Sequence, residues 1–161
     1  MMFRICFVCR GNICRSPMAE HVFRRMVEEA GLADVVEVDS AGTSDGFAGY
    51  SADPRTAGVL AAAGYESAHT ARQFRARWFR SRDLVVALDV HNEGVLRRMA
   101  VTDAEAGKVV LLRPYDRAAG DVNVPDPYLG TEATFVECLG MVEAACRGLL
   151  KTVGRAYARP L

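Results

Sequence analysis

Phe3-Arg4-Ile5-Cys6-Phe7-Val8-Cys9-Arg10-Gly11-Asn12-Ile13-Cys14-Arg15-Ser16-Pro17 runs from an apolar stretch through a glycine-bearing turn into a helix start. Phe3 to Val8 has the length and composition of a buried strand, and Ser16 followed by Pro17 reads as an N-cap and first helical residue. Beyond it, Met18, Val22, Met26 and Ala30 interleave with Ala19, Phe23 and Val27 to form one apolar stripe. Glu20, Arg24, Arg25, Glu28 and Glu29 take the opposite face, and Gly31 ends the helix. The opening unit is therefore strand, loop, helix.

The same alternation continues along the chain. Val35 to Ala41 reads as a second strand, and Asp53 with Pro54 opens a helix reaching Gly64. Leu84 to Leu88 is a third strand apolar on both faces, followed by Asp89 as cap and a helix to about Met99. Lys108 to Leu112 supplies a fourth strand. A long irregular stretch from Arg113 to Gly130 precedes a helix with Phe135, Leu139, Val142, Cys146, Leu149 and Val153 on one face. This order predicts an α/β fold: one domain over residues 1–161, a doubly wound four-stranded parallel sheet with helices on both faces. Ligands of such sheets bind beyond the carboxyl ends of the strands, where strand order reverses, so Cys9 to Arg15 is the first loop to consider.

That loop suits an oxyanion. Successive backbone N–H groups can wrap phosphate oxygens, the helix N-terminus adds partial positive charge, and a guanidinium can make two parallel hydrogen bonds. Arg10, Gly11, Asn12, Ile13, Cys14 and Arg15 are the candidate phosphate-binding residues. A thiol at the base of the loop is expected to ionise readily beside these positive groups, which makes Cys9 a nucleophile. Ser16 can cap the helix with its oxygen and point its proton at the sulfur. Gly11 and Asn12 are best able to take the positive φ that a curled loop requires. Neither G-x-x-x-x-G-K-[ST] nor G-x-G-x-x-G occurs, so the loop does not read as a nucleotide site.

Composition narrows the partners. Twenty acidic side chains balance twenty basic ones, giving no basic excess for nucleic acid, and the charged N-terminal stretch is too short for a signal peptide or membrane span. Five cysteines, an odd number, argue against a disulfide framework and for a reducing, cytoplasmic setting. Cys138 and Cys146 fall on the apolar face of the last helix as core residues. No metal-ligand spacing is visible, no cofactor is implied, and the expected state is a monomer or weak dimer.

The motif C-x5-R-S within VCRGNICRSP resembles the low molecular weight protein tyrosine phosphatase family. The likeness extends over nearly the whole chain, through DSAGTS at 39–44, ADPR at 52–55, HTARQ at 69–73, LVVALD at 84–89 and PDPY at 125–128. The resemblance implies that Cys9 attacks phosphorus, that Arg15 clamps the phosphoryl group, and that Asp126 protonates the leaving phenolate and then activates water against the phosphocysteine. It implies that His69 buttresses the loop through Asn12, with Ser40 in the same network, and that Cys9 and Cys14 can join as a protective disulfide under peroxide. Substrates would be phosphotyrosine proteins or aryl phosphates, with inorganic phosphate or sulfate also fitting the loop.

Three positions depart from the family pattern. Gly46 stands where a bulky pocket residue is common, leaving Phe47 or Tyr50 to supply that wall, with Tyr128 opposite and Arg10 and Ile13 as further pocket residues. Leu129 replaces a frequent second tyrosine. Arg10, next to the nucleophile, is expected to favour acidic neighbours of the phosphorylated residue. Two rival readings are a thioredoxin-coupled arsenate reductase and a non-catalytic phosphotyrosine-binding module or phosphocysteine carrier. The first needs a cysteine relay that is missing between Cys14 and Cys138, and the second could dispense with Arg15 or Asp126, both of which are present.

Overall fold

The computed structural model describes residues 1–157. Four parallel strands, β1 (Phe3–Cys9), β2 (Val36–Gly42), β3 (Leu84–Ala87) and β4 (Val109–Leu111), form one sheet in the order β2-β1-β3-β4. The helices are α1 (Arg15–Glu29), α2 (Pro54–Ala62), α3 (Val90–Met99), the single turn α4 (Asp103–Ala106) and α5 (Glu132–Tyr157). Two 3₁₀ turns, Ala76–Arg80 and Arg113–Tyr115, together with α4, fall in stretches where the sequence shows no clear period.

Period-two alternation decides which core each strand residue enters. From β1, Ile5, Phe7 and Cys9 face a core completed by Phe23 of α1, Leu60 of α2 and Phe135 and Leu149 of α5. Cys6 and Val8 face the other side, where Val85 and Ala87 of β3 meet Phe74, Phe79 and Leu96 of α3. Burying each such large side chain stabilises the fold by about 1.5–3 kcal/mol, so both faces of the central strands are committed to packing. Their polar work is left to the loops at their carboxyl ends.

Strand order turns around at β1, with β2 on one side and β3 on the other. Four segments therefore converge at that edge of the sheet: the loop after β1, Thr43 onward after β2, Asp89 after β3, and the irregular stretch after β4. Gln73 bridges to Gly42, and Gly42 exchanges backbone bonds with Arg72 and Phe74. That pairing brings His69 and Arg72 up against the loop after β1.

Candidate active site

The loop from Cys9 to Arg15 is held from beneath by a chain of hydrogen bonds centred on Asn12. Asn12 is fully buried at φ 56°, the one non-glycine residue of positive φ among the described residues. Its amide donates to Ser16 Oγ at 2.8 Å and Ser40 Oγ at 2.9 Å, while its Oδ1 accepts from the Arg72 backbone N–H at 3.0 Å. Both hydroxyl oxygens thus act as acceptors, and their protons are free to point elsewhere. Ser16 Oγ lies 2.9 Å from Cys9 Sγ and more distantly, 3.3 Å, from the Ala41 carbonyl. Ser40 donates to Glu20 Oε1 at 2.5 Å. His69 Nε2 donates to the Asn12 carbonyl at 2.6 Å, so the histidine supports the loop through its main chain.

Helix α1 begins one residue before the expected cap. Cys14 occupies the N-cap position with no side-chain bond, and Ser16 lies inside the first turn. Its hydroxyl is turned toward Asn12 and Cys9, so it cannot cap, and the helix starts with its free N–H groups directed at the loop. Gly11 does not take positive φ; a β-carbon there would instead lie 3.0 Å from the Phe47 ring. Gly42 has a sharper steric requirement. A β-carbon on it would stand 2.6 Å from the Arg10 carbonyl and 3.2 Å from Asn12 N, so the loop rests directly on the backbone at the end of β2.

Cys9 is 2% exposed. Cys14 is also buried, and burial and the nearby Asp53 carboxylate push its thiol up to about 12. Arg15 lies with its side chain almost wholly buried. Its Nη1 donates to Asp89 Oδ2 at 2.7 Å and to the Val124 carbonyl at 2.9 Å, and its Nη2 stands 3.7 Å from Asp126 Oδ2. Burial opposes its charge, but Cys9, Asp89 and Asp126 outweigh that effect and hold the guanidinium protonated. Asp89 has two tasks: Oδ1 accepts from Asn92 N as the cap of α3, and Oδ2 orients Arg15. Asp126 is half exposed, with Oδ1 accepting from the Tyr128 backbone at 3.1 Å.

Above the loop is a cavity of about 380 Å³ whose lining includes Cys9, Arg10, Ile13, Phe47, Asp126 and Tyr128. A larger depression of about 730 Å³ lies between Pro114–Ala118 and α5, lined by Arg117, Arg147, Lys151 and Arg155. No nucleophilic cysteine or serine lines it, so chemistry and not size selects the smaller one. Gly46 lines that cavity beside Phe47. Tyr50 lies behind Phe47, with ring centroids 5.8 Å apart, and does not line it. Phe47 and Tyr128 are themselves 6.1 Å apart at an angle of 54°. Carbon contacts of ~3.5–4.0 Å on each face of an inserted ring would need more room, so the two rings meet at the mouth instead of facing each other across a slot.

Comparison with known proteins gives the family. The sequence model of the low molecular weight phosphotyrosine protein phosphatases matches residues 4–159. The chain belongs to that family. Among its relatives, the low molecular weight protein-tyrosine-phosphatase of Streptomyces coelicolor is 59% identical over 95% of this chain and 94% of its own. A crystal structure of the protein tyrosine phosphatase from Entamoeba histolytica, with Hepes in its active site, superposes with a TM-score of 0.92 at 30% identity, covering 96% of this chain and 99% of that one. The arginine phosphatase YwlE, solved with a phosphorylated active site serine, superposes with a TM-score of 0.81 at 26% identity, over 95% and 97% of the two chains. The chain is accordingly a protein-tyrosine-phosphatase, a hydrolase.

Within this phosphatase, Cys9, Arg15 and Asp126 meet at one cavity, and Asn12, Ser16, Ser40 and His69 form the network below it. Glu20, Arg72, Asp89 and Gly42 complete the arrangement without having been expected there. Glu20 is the clearest case. It shares the polar stripe of α1 with Arg24, yet its carboxylate is mostly buried. Burial would raise its pKa, but the Ser40 hydroxyl and Arg24 outweigh burial and hold it below the usual range.

Proposed function

We propose that Cys9 is the nucleophile, Arg15 the phosphate clamp and Asp126 the general acid and base of phosphotyrosine hydrolysis. The observation that carries this reading is the 2.9 Å contact of Cys9 Sγ with a Ser16 hydroxyl whose oxygen already accepts from Asn12. Its proton can be directed at the sulfur, and the adjacent start of α1 faces the same loop with its unpaired N–H groups. Sulfur attacks phosphorus as the bond to the phenolic oxygen breaks, and Asp126 delivers its proton to that oxygen. Water then attacks the phosphocysteine, giving its proton to Asp126 and releasing Cys9 and inorganic phosphate. Arg15 and the backbone N–H groups of residues 10–15 hold the equatorial oxygens through both transfers, where positioning and charge dominate.

Phe47 and Tyr128 at the mouth favour an aromatic ester, and exposed Arg10 beside them favours acidic residues around the phosphotyrosine. The five cysteines are all buried free thiols, which suits a cytoplasmic site of action. Cys9→Ser tests the reading. Turnover of para-nitrophenyl phosphate should fall on the order of 10⁴-fold or more, and acid quenching of the wild type during turnover should trap phosphate on Cys9. Undiminished turnover in the variant would remove Cys9 from the reaction.

A further inference from the structure

The segment Ala52-Asp53-Pro54-Arg55 takes no part in the chemistry described above, yet it touches both halves of the site. Asp53 caps α2, and its backbone N–H donates to the Ile13 carbonyl of the phosphate loop at 2.9 Å. Its carboxylate grips Arg55 from both oxygens. Oδ1 accepts from the Arg55 backbone at 2.9 Å and from Nε at 3.1 Å, and Oδ2 accepts from Nη2 at 2.9 Å. The far side of the same guanidinium reaches the acid-bearing stretch, with Nη2 donating to the Tyr128 carbonyl at 3.0 Å and Nη1 to the Gly130 carbonyl at 3.3 Å. Its central carbon lies 4.4 Å from the Phe135 ring centroid and 5.7 Å from that of Tyr128.

We infer that Arg55 is a positioning residue, a strut that sets Asp126 at a fixed height over the phosphate loop. The inference rests on the reading of Asp126 as the general acid. Asp126 is half exposed, and its side chain has two partners: the Tyr128 N–H of its own turn and the distant edge of Arg15. Its location is therefore the location of its backbone. Upstream that backbone is pinned at Val124, whose N–H donates to the Leu88 carbonyl and whose carbonyl accepts from Arg15. Among the described residues, Arg55 supplies the only side-chain hydrogen bonds that reach Pro127–Gly130 from another element. One planar fork thus joins the loop carrying the nucleophile to the loop carrying the acid. A lysine ammonium cannot satisfy a carboxylate and two carbonyls in these directions at once.

The test reads protonation of the leaving group. Phenyl phosphate expels a strongly basic oxygen and needs the acid, whereas para-nitrophenyl phosphate needs it far less. kcat/KM includes every step up to phenol release, so it reports the acid even when phosphocysteine hydrolysis limits kcat. Arg55→Met should lower kcat/KM on phenyl phosphate by about 10-fold or more and on para-nitrophenyl phosphate by less than about threefold, because small displacements of a catalytic group are costly. Arg55→Lys should show a weaker form of the same selectivity, and it serves if the methionine variant folds poorly by its Tm. In an Asp126→Asn background neither substitution should add selectivity, since there is no acid left to misplace. Equal losses on both esters, or a selective loss that multiplies with Asp126→Asn, would overturn the role of Arg55 while leaving Asp126 in place. If Asp126→Asn alone shows no leaving-group selectivity, the acid assignment fails and the strut fails with it.

Discussion

The phosphate loop and the stretch from Arg113 to Gly130 meet at the same cavity but are built on opposite principles. The first is short and buried, and Asn12 has all its amide bonds satisfied by Ser16, Ser40 and Arg72. The second is long and irregular, with Asp126 half exposed and its backbone tied by Arg15 and Arg55. On the proposed roles, the difference follows from the task. Phosphoryl oxygens must be met by preorganised dipoles that do not move, whereas a proton donor must admit substrate, release product and exchange its proton with water. Substitutions in the two regions should therefore differ in kind, with loop changes costing stability and activity on every ester and acid-stretch changes costing activity selectively.

Asp126→Asn gives the largest effect expected on that contrast. On phenyl phosphate kcat/KM should fall by about 10²–10⁴-fold, the usual contribution of a general acid. The loss on para-nitrophenyl phosphate should be much smaller, and Tm should hold because the removed charge is half exposed. A matching fall in Tm would mean that the two regions are not mechanically distinct.

Asn12 tests the other side. Asn12→Ala removes the donor to the Ser16 and Ser40 oxygens, leaves the Arg72 N–H without its acceptor, and holds alanine at positive φ without the local bonding that helps asparagine there. About 1–3 kcal/mol for each buried group left unsatisfied predicts a clear drop in Tm, with equal fractional losses of kcat/KM on both esters. Asn12→Gly separates the two causes: it relieves the backbone and not the bonds, so its Tm should lie between alanine and wild type if φ matters. Gly42→Ala is milder. Its β-carbon would push the Arg10 carbonyl from 2.6 Å to ordinary contact, at a cost of about 1–3 kcal/mol for an overpacked site, again without selectivity between esters.

The same contrast explains what the sequence made legible. The phosphate loop is local, with Cys9, Arg15 and Ser16 on one turn between a strand and a helix, and the strands were readable to within a residue or so at each end because their apolar runs are continuous. β1 extends one residue further than expected, to Cys9, and β4 is shorter at both ends. The partners of Arg15 are not local. Asp89 and Val124 lie 74 and 109 positions away, brought together because the loops after β1, β3 and β4 open at one edge of the sheet. Nothing in the period of α1 distinguishes Glu20 from a solvated acid, and nothing in ADPR distinguishes Arg55 from an ordinary helix-start cation, until β2 and the acid stretch are in place. Which ring lines the pocket was equally a question of packing: Phe47 sits where a β-carbon on Gly11 would come within 3.0 Å of its ring, and Tyr50 is left outside.

The smallest effect expected is a pH dependence carried by two buried histidines, His69 in the network beneath the loop and His21, bonded to the Ala68 carbonyl, outside it. Burial lowers the pKa of His69, with the Asn12 carbonyl and Glu20 only partly offsetting it, and burial likewise lowers His21. For a base with a lowered folded value, the unfolded chain binds more protons across the interval, so stability rises with pH there. That contribution is fully present above about pH 6.5, the unfolded histidine value, and is lost as pH falls from there through the folded value. Glu20, also lowered in the folded state, acts further down: its contribution is present above about pH 4.3 and is lost below it. Tm should thus decline between pH 7 and 5, His69→Gln should flatten the decline, and Asp126→Asn should leave it unchanged, since the acid stretch has no part in this network. A His69→Gln variant with the wild-type slope would show that its bond to the Asn12 carbonyl does not link proton uptake to the stability of the phosphate loop.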